Sequence, residues 1–175
     1  MQKITHFLTA AFIFSLLLGG ISCEQGLESV EGIQGTVNFP YDSTTNTVIW
    51  PDTLNGAFVV IAEYQSIVYQ SIDSIFTHIV GYSDPLETSE QESGYSIQLK
   101  PGYYIGGAIG IKEITLAEIA FMPLDSLVAH PEYFTIIGVY ESASSSLGVG
   151  KIKVLENQLT DGIDIKVKYE YQLPF

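Results

Sequence analysis

Apolar and polar residues alternate along much of the chain with a period of two, which is the pattern of half-buried β-strands. Residues 33–39, "IQGTVNF", show this alternation, whereas residues 57–64, "AFVVIAEY", are almost wholly apolar. A continuous apolar run of this length is typical of a central strand covered on both faces. Short strands separated by turn residues predict an all-β fold, a single antiparallel β-sandwich. Further strands are predicted at residues 75–80, 95–100, 103–111, 133–140, 151–155 and 162–171.

The last two predicted strands flank the polar stretch "ENQLTD" and are expected to pair as a hairpin. In the final strand the apolar and the charged residues fall on opposite faces. The hairpin would carry most of the lysines. Two roles are open for them: they protect a sheet edge against aggregation, or they bind an anionic surface. The apolar set is Ile163, Ile165, Val167, Tyr169 and Tyr171; the charged set is Asp164, Lys166, Lys168 and Glu170, with Lys151 and Lys153 on the other strand.

Residues 112–132 do not alternate cleanly and contain many apolar side chains. Within them, "PLDSLVAHP" predicts one short helical insertion that Pro131 ends. Long connections that keep structure of their own are often functional. Two interpretations stay open: the segment caps an open end of the sandwich, or it forms a contact surface with Phe121 and Met122 exposed.

The N-terminus carries one positive charge, Lys3, before an apolar run at residues 7–18. The run is too short to span a bilayer, which needs roughly 20 residues, and it is typical of a secretory signal. It ends in "LGGISC", which holds the only cysteine, and it resembles a bacterial lipoprotein signal. An ordinary signal peptide and an uncleaved anchor are the alternatives. We therefore expect a signal peptide at residues 1–22, lipid on Cys23, a tether at residues 23–30 and the domain at residues 31–175.

The composition is strongly acidic, with 20 acidic residues against 7 lysines, no arginine and a net charge of −13. Nucleic-acid binding needs a basic surface, so the composition argues against nucleic acid as a partner. An acidic surface favours solubility and is repelled by other anionic surfaces. With a single cysteine, the domain has to build its core without disulfides.

Three stretches, "IQGTVNF", "GAFVVIAEY" and "SEQESGYSIQLKPGYYIGGAI", resemble the carboxypeptidase regulatory-like (transthyretin-like) β-sandwich. The resemblance covers residues 31–111, and residues 112–132 look like an insertion. It implies a non-catalytic module that packs on enzymes, receptors or surface assemblies. The third stretch matches the family pattern in place at Gly94, Tyr95, Leu99, Pro101, Gly102 and Tyr104.

Candidate catalytic and metal-binding residues are few. His78 and His130 are the only histidines after the signal, and no Gly-x-Ser-x-Gly elbow accompanies them. Asp161 and Asp164, and His130 beside Glu132, do not have the spacing of a calcium site, which needs about six oxygen ligands. We therefore predict no catalytic residue, no metal and no cofactor.

Aromatic residues in connections offer a surface for sugars. Trp50 lies in the predicted loop at residues 40–56. Tyr41, Tyr69 and Tyr82 also lie in or near connections. Tyrosines at alternating strand positions instead suit the core of a sandwich.

These patterns predict a non-enzymatic, lipid-anchored module outside the cytoplasm, on the outer membrane or cell surface of a bacterium. It would reach the membrane through Cys23 and bind or scaffold an envelope protein or a glycan. The alternative is a glycan-binding surface lipoprotein that uses tryptophan and tyrosine platforms. The candidate binding surface is Trp50, Tyr82, Phe121 and Met122.

Overall fold

The alternating segments form strands. The computed structural model describes residues 31–64, 78–120, 129–142 and 149–169. Within these residues the helical elements are α1 (Leu116–Ala120) and a 3-10 turn (Pro131–Tyr133). The all-β class with a short helical element is confirmed, but α1 lies before residues 123–131, where the sequence predicts the helix, and residues 121–128 lie outside the described residues. The strands are β1 (Gly32–Asn38), β2 (Tyr41–Asp42), β3 (Thr47–Val48), β4 (Gly56–Glu63), β5 (Ile79–Tyr82), β6 (Glu92–Gln98), β7 (Gly102–Ile111), β8 (Phe134–Tyr140), β9 (Ile152–Val154), β10 (Leu159–Thr160) and β11 (Ile165–Val167).

Nine of these strands form one curled sheet in the hydrogen-bonded order β10-β1-β11-β8-β7-β4-β5, with β6 paired to β1 and β9 to β7. β2 and β3 form a separate hairpin inside the predicted loop at residues 40–56. The pairs are antiparallel except β1 with β10 and β1 with β11, which run parallel. Where the sequence predicts an antiparallel β-sandwich, these strands form one curled sheet with two parallel pairings, because β10 and β11 run in the same direction as β1.

The sheet curls until its end strands β5 and β6 lie against each other across the interior. A Cβ added at Gly81 of β5 would lie 3.0 Å from Ile97 Cγ2 and 3.2 Å from Leu99 Cδ2, so only glycine leaves both neighbours in place. The curl encloses the main core. Its buried members include Ile33, Val37, Val59, Ile61, Tyr95, Ile97, Ile137, Ile152, Ile165 and Val167.

The strands predicted at residues 95–100 and 103–111 are confirmed as β6 and β7, but they do not pair with each other. β6 pairs with β1, whereas β7 pairs with β4, β8 and β9. The turn at Pro101–Gly102 thus carries the chain from one wall of the curled sheet to the other. The Tyr104 hydroxyl donates to the Lys100 carbonyl at 2.8 Å across this corner.

The predicted hairpin between residues 151–155 and 162–171 is wrong. β9 pairs with the start of β7, and β11 lies between β1 and β8. The predicted alternation of β11 holds, since Ile165 and Val167 are buried and Lys166 is exposed. Because β11 lies between two strands, the backbone groups on both of its edges have hydrogen-bond partners. The lysines of β11 consequently do not protect a sheet edge.

A second apolar core covers the outer face of β4, β7 and β8. Phe58 and Phe134 meet edge to face there, with ring centroids 5.9 Å apart. Ile114, Leu116 and Ile119, from the predicted insertion, pack onto this core. β4 is therefore buried on both faces, as its continuous apolar run predicts.

Helix α1 begins at a reciprocal cap that fixes the insertion over the sheet. Glu118 Oε2 accepts a hydrogen bond from the Thr115 backbone N–H at 2.7 Å, and Thr115 Oγ1 accepts one from the Glu118 backbone N–H at 3.3 Å. Leu116 then lies over Gly56, where an added Cβ would be 2.8 Å from Leu116 Cδ1. Residues 114–119 of the insertion therefore cover the sheet, and residues 121–128 lie outside the described residues.

Candidate functional site

Trp50 packs against other parts of the protein and stabilises its own loop. Its ring is half-buried and meets the rings of Phe39 and Tyr169 edge to face, at centroid distances of 5.7 and 6.1 Å. The indole N–H donates to the Leu54 carbonyl at 2.8 Å, and the Tyr169 hydroxyl donates to the Ile49 carbonyl at 2.6 Å. These contacts use the ring and its polar atom within the protein, so Trp50 is poorly placed as a sugar platform.

Tyr82 lies on the other side of the sheet from Trp50. It is 50% exposed on β5 and contacts Phe58 of the outer core, with ring centroids 6.5 Å apart. Trp50 instead packs against the inner core. The structure therefore does not bring Trp50 and Tyr82 together into one surface. Of the other predicted site residues, Phe121, Met122 and Cys23 lie outside the described residues.

The residues weighed for chemistry have structural partners. His130 Nδ1 lies 2.9 Å from Glu132 Oε1, and its hydrogen bond lowers the pKa of the Glu132 carboxyl. Asp164 Oδ1 accepts hydrogen bonds from the backbone and hydroxyl of Thr36. Asp161 Oδ1 accepts one from the Gly162 backbone N–H in a turn. Across the ranges that the structure describes, no three His, Cys, Asp or Glu side chains are grouped as metal ligands.

An exposed group of three side chains, of which sequence patterns singled out only the lysine, lies where β4 ends, β7 begins and β9 is about to begin. Lys151 Nζ lies 3.8 Å from the ring centroid of Tyr103 and 4.6 Å from that of Tyr64. The Tyr64 backbone N–H donates to the Tyr103 carbonyl at 2.8 Å, which fixes the two tyrosines side by side. Tyr64 is 42% exposed and Tyr103 is 48% exposed. We name Tyr64, Tyr103 and Lys151 the tyrosine–lysine cluster.

The positive charge of this cluster has no acidic partner in the described part of the chain. Ion pairs between described residues join His130 to Glu132 and Lys168 to Glu141. The Lys151 ammonium is attracted instead by the electron-rich faces of the two rings. A second cation flanks them, because Lys153 is exposed and pairs in register with Tyr103. The cluster thus joins aromatic surface to fixed positive charge in a chain of net charge −13.

The sequence does carry a signal for this cluster. Tyr103 and Tyr104 are consecutive strand residues, so their side chains have to point to opposite faces. Tyr104 is buried, and therefore Tyr103 has to be outward. The pairing of β9 with β7, which sequence patterns did not predict, then brings Lys151 to the two tyrosines.

Comparison of the chain with protein-family models, with curated proteins and with solved structures finds no match. The resemblance to the carboxypeptidase regulatory-like domain therefore stays a prediction. Within the described residues, no helix has the length and apolarity needed to cross a bilayer.

Proposed function

We propose that the protein is a lipid-anchored, non-catalytic binding module of the bacterial cell envelope, with the tyrosine–lysine cluster as its ligand-contacting surface. The observation that carries this proposal is the exposure of Tyr64 and Tyr103, 42% and 48%, around an ammonium group without a carboxylate partner among the described residues. Exposed aromatic residues beside a charged group are typical of recognition surfaces.

The anchor in this proposal is Cys23. Its support is the short apolar run followed by the only cysteine of the chain. With residues 24–30 as a tether, the domain would begin within about 25 Å of the lipid, given roughly 3.5 Å per extended residue. Wild-type protein should incorporate labelled palmitate in bacteria and partition into detergent, whereas Cys23→Ala should lose the label. A wild type that takes up no label contradicts the anchor.

The binding surface can be tested with the full chain purified in detergent. Tyr64→Ala with Tyr103→Ala should lose retention on immobilised cell-envelope material, because the exposed rings are removed. Tyr82→Ala is the matched control, since Tyr82 is 50% exposed but lies outside the cluster. Both proteins should melt within a few degrees of wild type. Equal retention of the double variant and wild type would contradict the proposed surface.

A further inference from the structure

The chemistry of the tyrosine–lysine cluster restricts the class of ligand that it can bind. Tyr103 lies on β7, and Tyr64 directly follows the last residue of the adjacent strand β4 and is held to β7 by the hydrogen bond from its backbone N–H to the Tyr103 carbonyl. Side chains mounted on a rigid sheet keep their relative positions more closely than side chains on loops. The rings therefore form a firm apolar surface, with the Lys151 ammonium 3.8 Å from one centroid and 4.6 Å from the other.

The Lys151 ammonium lies over one face of each ring, so a ligand would contact the parts of the two rings that the ammonium leaves exposed, and a flat surface of C–H groups suits them. The face of an aromatic ring is negative and its edge is positive, so the face attracts partly positive hydrogens. A pyranose presents such C–H groups on one face of its ring. Ligand sites commonly combine apolar and aromatic surface with a small number of placed polar groups. In the cluster, the placed polar group is the Lys151 ammonium.

The charge of the cluster favours an anionic ligand. The Lys151 ammonium has three donors and no ion pair with a carboxylate of the described residues, and Lys153 adds a second positive charge opposite Tyr103. A cationic ligand would be repelled by both lysines. A neutral sugar would gain stacking without a charge-assisted hydrogen bond. A nucleic acid carries a negative charge on every nucleotide and would be repelled by a chain of net charge −13 without arginine, whereas a ligand with few carboxylates would meet mainly the two lysines of this surface.

We propose that the tyrosine–lysine cluster binds a pyranose that carries a carboxylate, with Tyr64 and Tyr103 contacting the sugar ring and Lys151 binding the carboxylate. This inference rests on the proposed function, because it names the ligand class of the same surface. It differs from a platform built on Trp50 and Tyr82, which the fold places on opposite sides of the sheet.

The test measures binding of the full chain by calorimetry, in a detergent without a sugar headgroup and at low ionic strength. The probes are a short oligomer of galacturonic acid, of two or three sugars so that its charge stays small, and the same oligomer with its carboxylates methyl-esterified. Wild type should bind the acid about fivefold more tightly than the ester, as expected for one partly exposed ion pair. Polyglutamate, which carries carboxylates without sugar rings, should bind far more weakly than the acid oligomer.

Variants test separately the contact of the sugar with the tyrosine rings and the contact of its carboxylate with the lysine. Lys151→Gln should lose most of the preference for the acid over the ester, because Lys153 remains, and Tyr64→Ala with Tyr103→Ala should lose binding of both. Lys166→Gln is the matched control, because Lys166 is an exposed lysine on β11, outside the cluster; its affinities should stay within about twofold of wild type. The melting temperature of each variant is measured beside wild type, and Tyr103→Phe, which keeps the ring, should retain binding.

Equal affinity of wild type for acid and ester, or an acid preference as large in Lys151→Gln as in wild type, would overturn the inference. So would binding of polyglutamate as tight as that of the acid oligomer. If wild type is retained on envelope material through its tyrosines but binds neither oligomer, the ligand class is wrong and the proposed function stands. If the tyrosine variant is retained as well as wild type, the proposed function itself fails.

Discussion

Tyr103 and Tyr104 are neighbours in β7, yet they belong to two different regions of the molecule. Tyr104 is 7% exposed, and its hydroxyl donates to the Lys100 carbonyl at 2.8 Å. Tyr103 is 48% exposed and contacts the Lys151 ammonium. The difference follows from the side of the strand on which each residue lies. The inward tyrosine is a core ring with a bound hydroxyl, and the outward one is exposed aromatic surface.

Tyr95 and Tyr64 repeat this contrast on β6 and at the end of β4. Tyr95 is 8% exposed, and its hydroxyl donates to the Ile163 carbonyl at 2.6 Å, which ties β6 to the segment before β11. Tyr64 is 42% exposed and shares the Lys151 ammonium with Tyr103. Mutations on the inner side should therefore affect stability, whereas mutations in the cluster should affect binding.

The largest effect is expected on β11, where inward and outward residues are also consecutive. Val167 is 5% exposed in the inner core, so Val167→Asp would place a charge among apolar side chains. The free energy of unfolding should fall by roughly several kcal/mol, a large share of the stability of a typical domain. Lys166→Gln, on the exposed side, should change it by about 0.5 kcal/mol or less. Urea unfolding compares the two, and similar losses would mean that the register of β11 is wrong.

An intermediate effect is expected at high pH from Tyr95. Burial, with smaller contributions from Asp164 and Tyr140, raises the pKa of its phenol above the ordinary 10.0. The folded protein therefore keeps this proton where the unfolded chain loses it. The resulting stability is complete below pH 10 and decreases as the pH rises above it, by about 1.4 kcal/mol per pH unit for one group.

Tyr95→Phe removes that titration and should flatten the fall in unfolding free energy between about pH 9 and about pH 11. Some slope should remain, because burial raises the pKa of Tyr104 and brings that of Tyr169 to about 12. At neutral pH the variant should lose about 1 kcal/mol, because the Ile163 carbonyl loses its donor. An unchanged slope in urea unfolding across this pH range would argue against burial of the Tyr95 phenol in solution.

The alternation of apolar residues predicted the strands and their buried faces well, because burial of one face is a local property of the sequence. Ile165 and Val167 are buried and Lys166 is exposed, as the alternation predicts, and β4 is covered on both sides. Strand partners were predicted poorly. The turn after β9 gives no indication that β9 pairs with β7, because pairing depends on how distant segments share the interior.

The candidate site was missed for the same reason. Trp50 stood out as a ring in a polar loop, but the packing of Phe39 and Tyr169 around it is a contact between distant parts of the chain. Tyr64 and Lys151 are far apart in sequence, and only the pairing of β9 with β7 brings them together. Local pattern could have marked Tyr103 as outward, but not its neighbours.

The smallest expected effect is the coupling energy between Lys151 and Tyr103 within the cluster. A cation–π contact at an exposed site contributes about 0.5–1 kcal/mol. A double-mutant cycle with Lys151→Ala and Tyr103→Ala, measured by urea unfolding, should therefore give a coupling energy in that range. Lys151→Ala combined with Tyr82→Ala is the control and should give a coupling near zero, since Lys151 lies over Tyr64 and Tyr103.

The size of that coupling separates two roles for the cluster. A value near 0.5–1 kcal/mol means that the three side chains contribute little to folding, so their exposure is available for a ligand. A coupling of about 3 kcal/mol, comparable to the loss of a buried group, would make the cluster a stabilising device and remove the main support for a binding surface. Tyr103 would then resemble Tyr104 in function despite its exposure, and the contrast between the two faces of β7 would not hold.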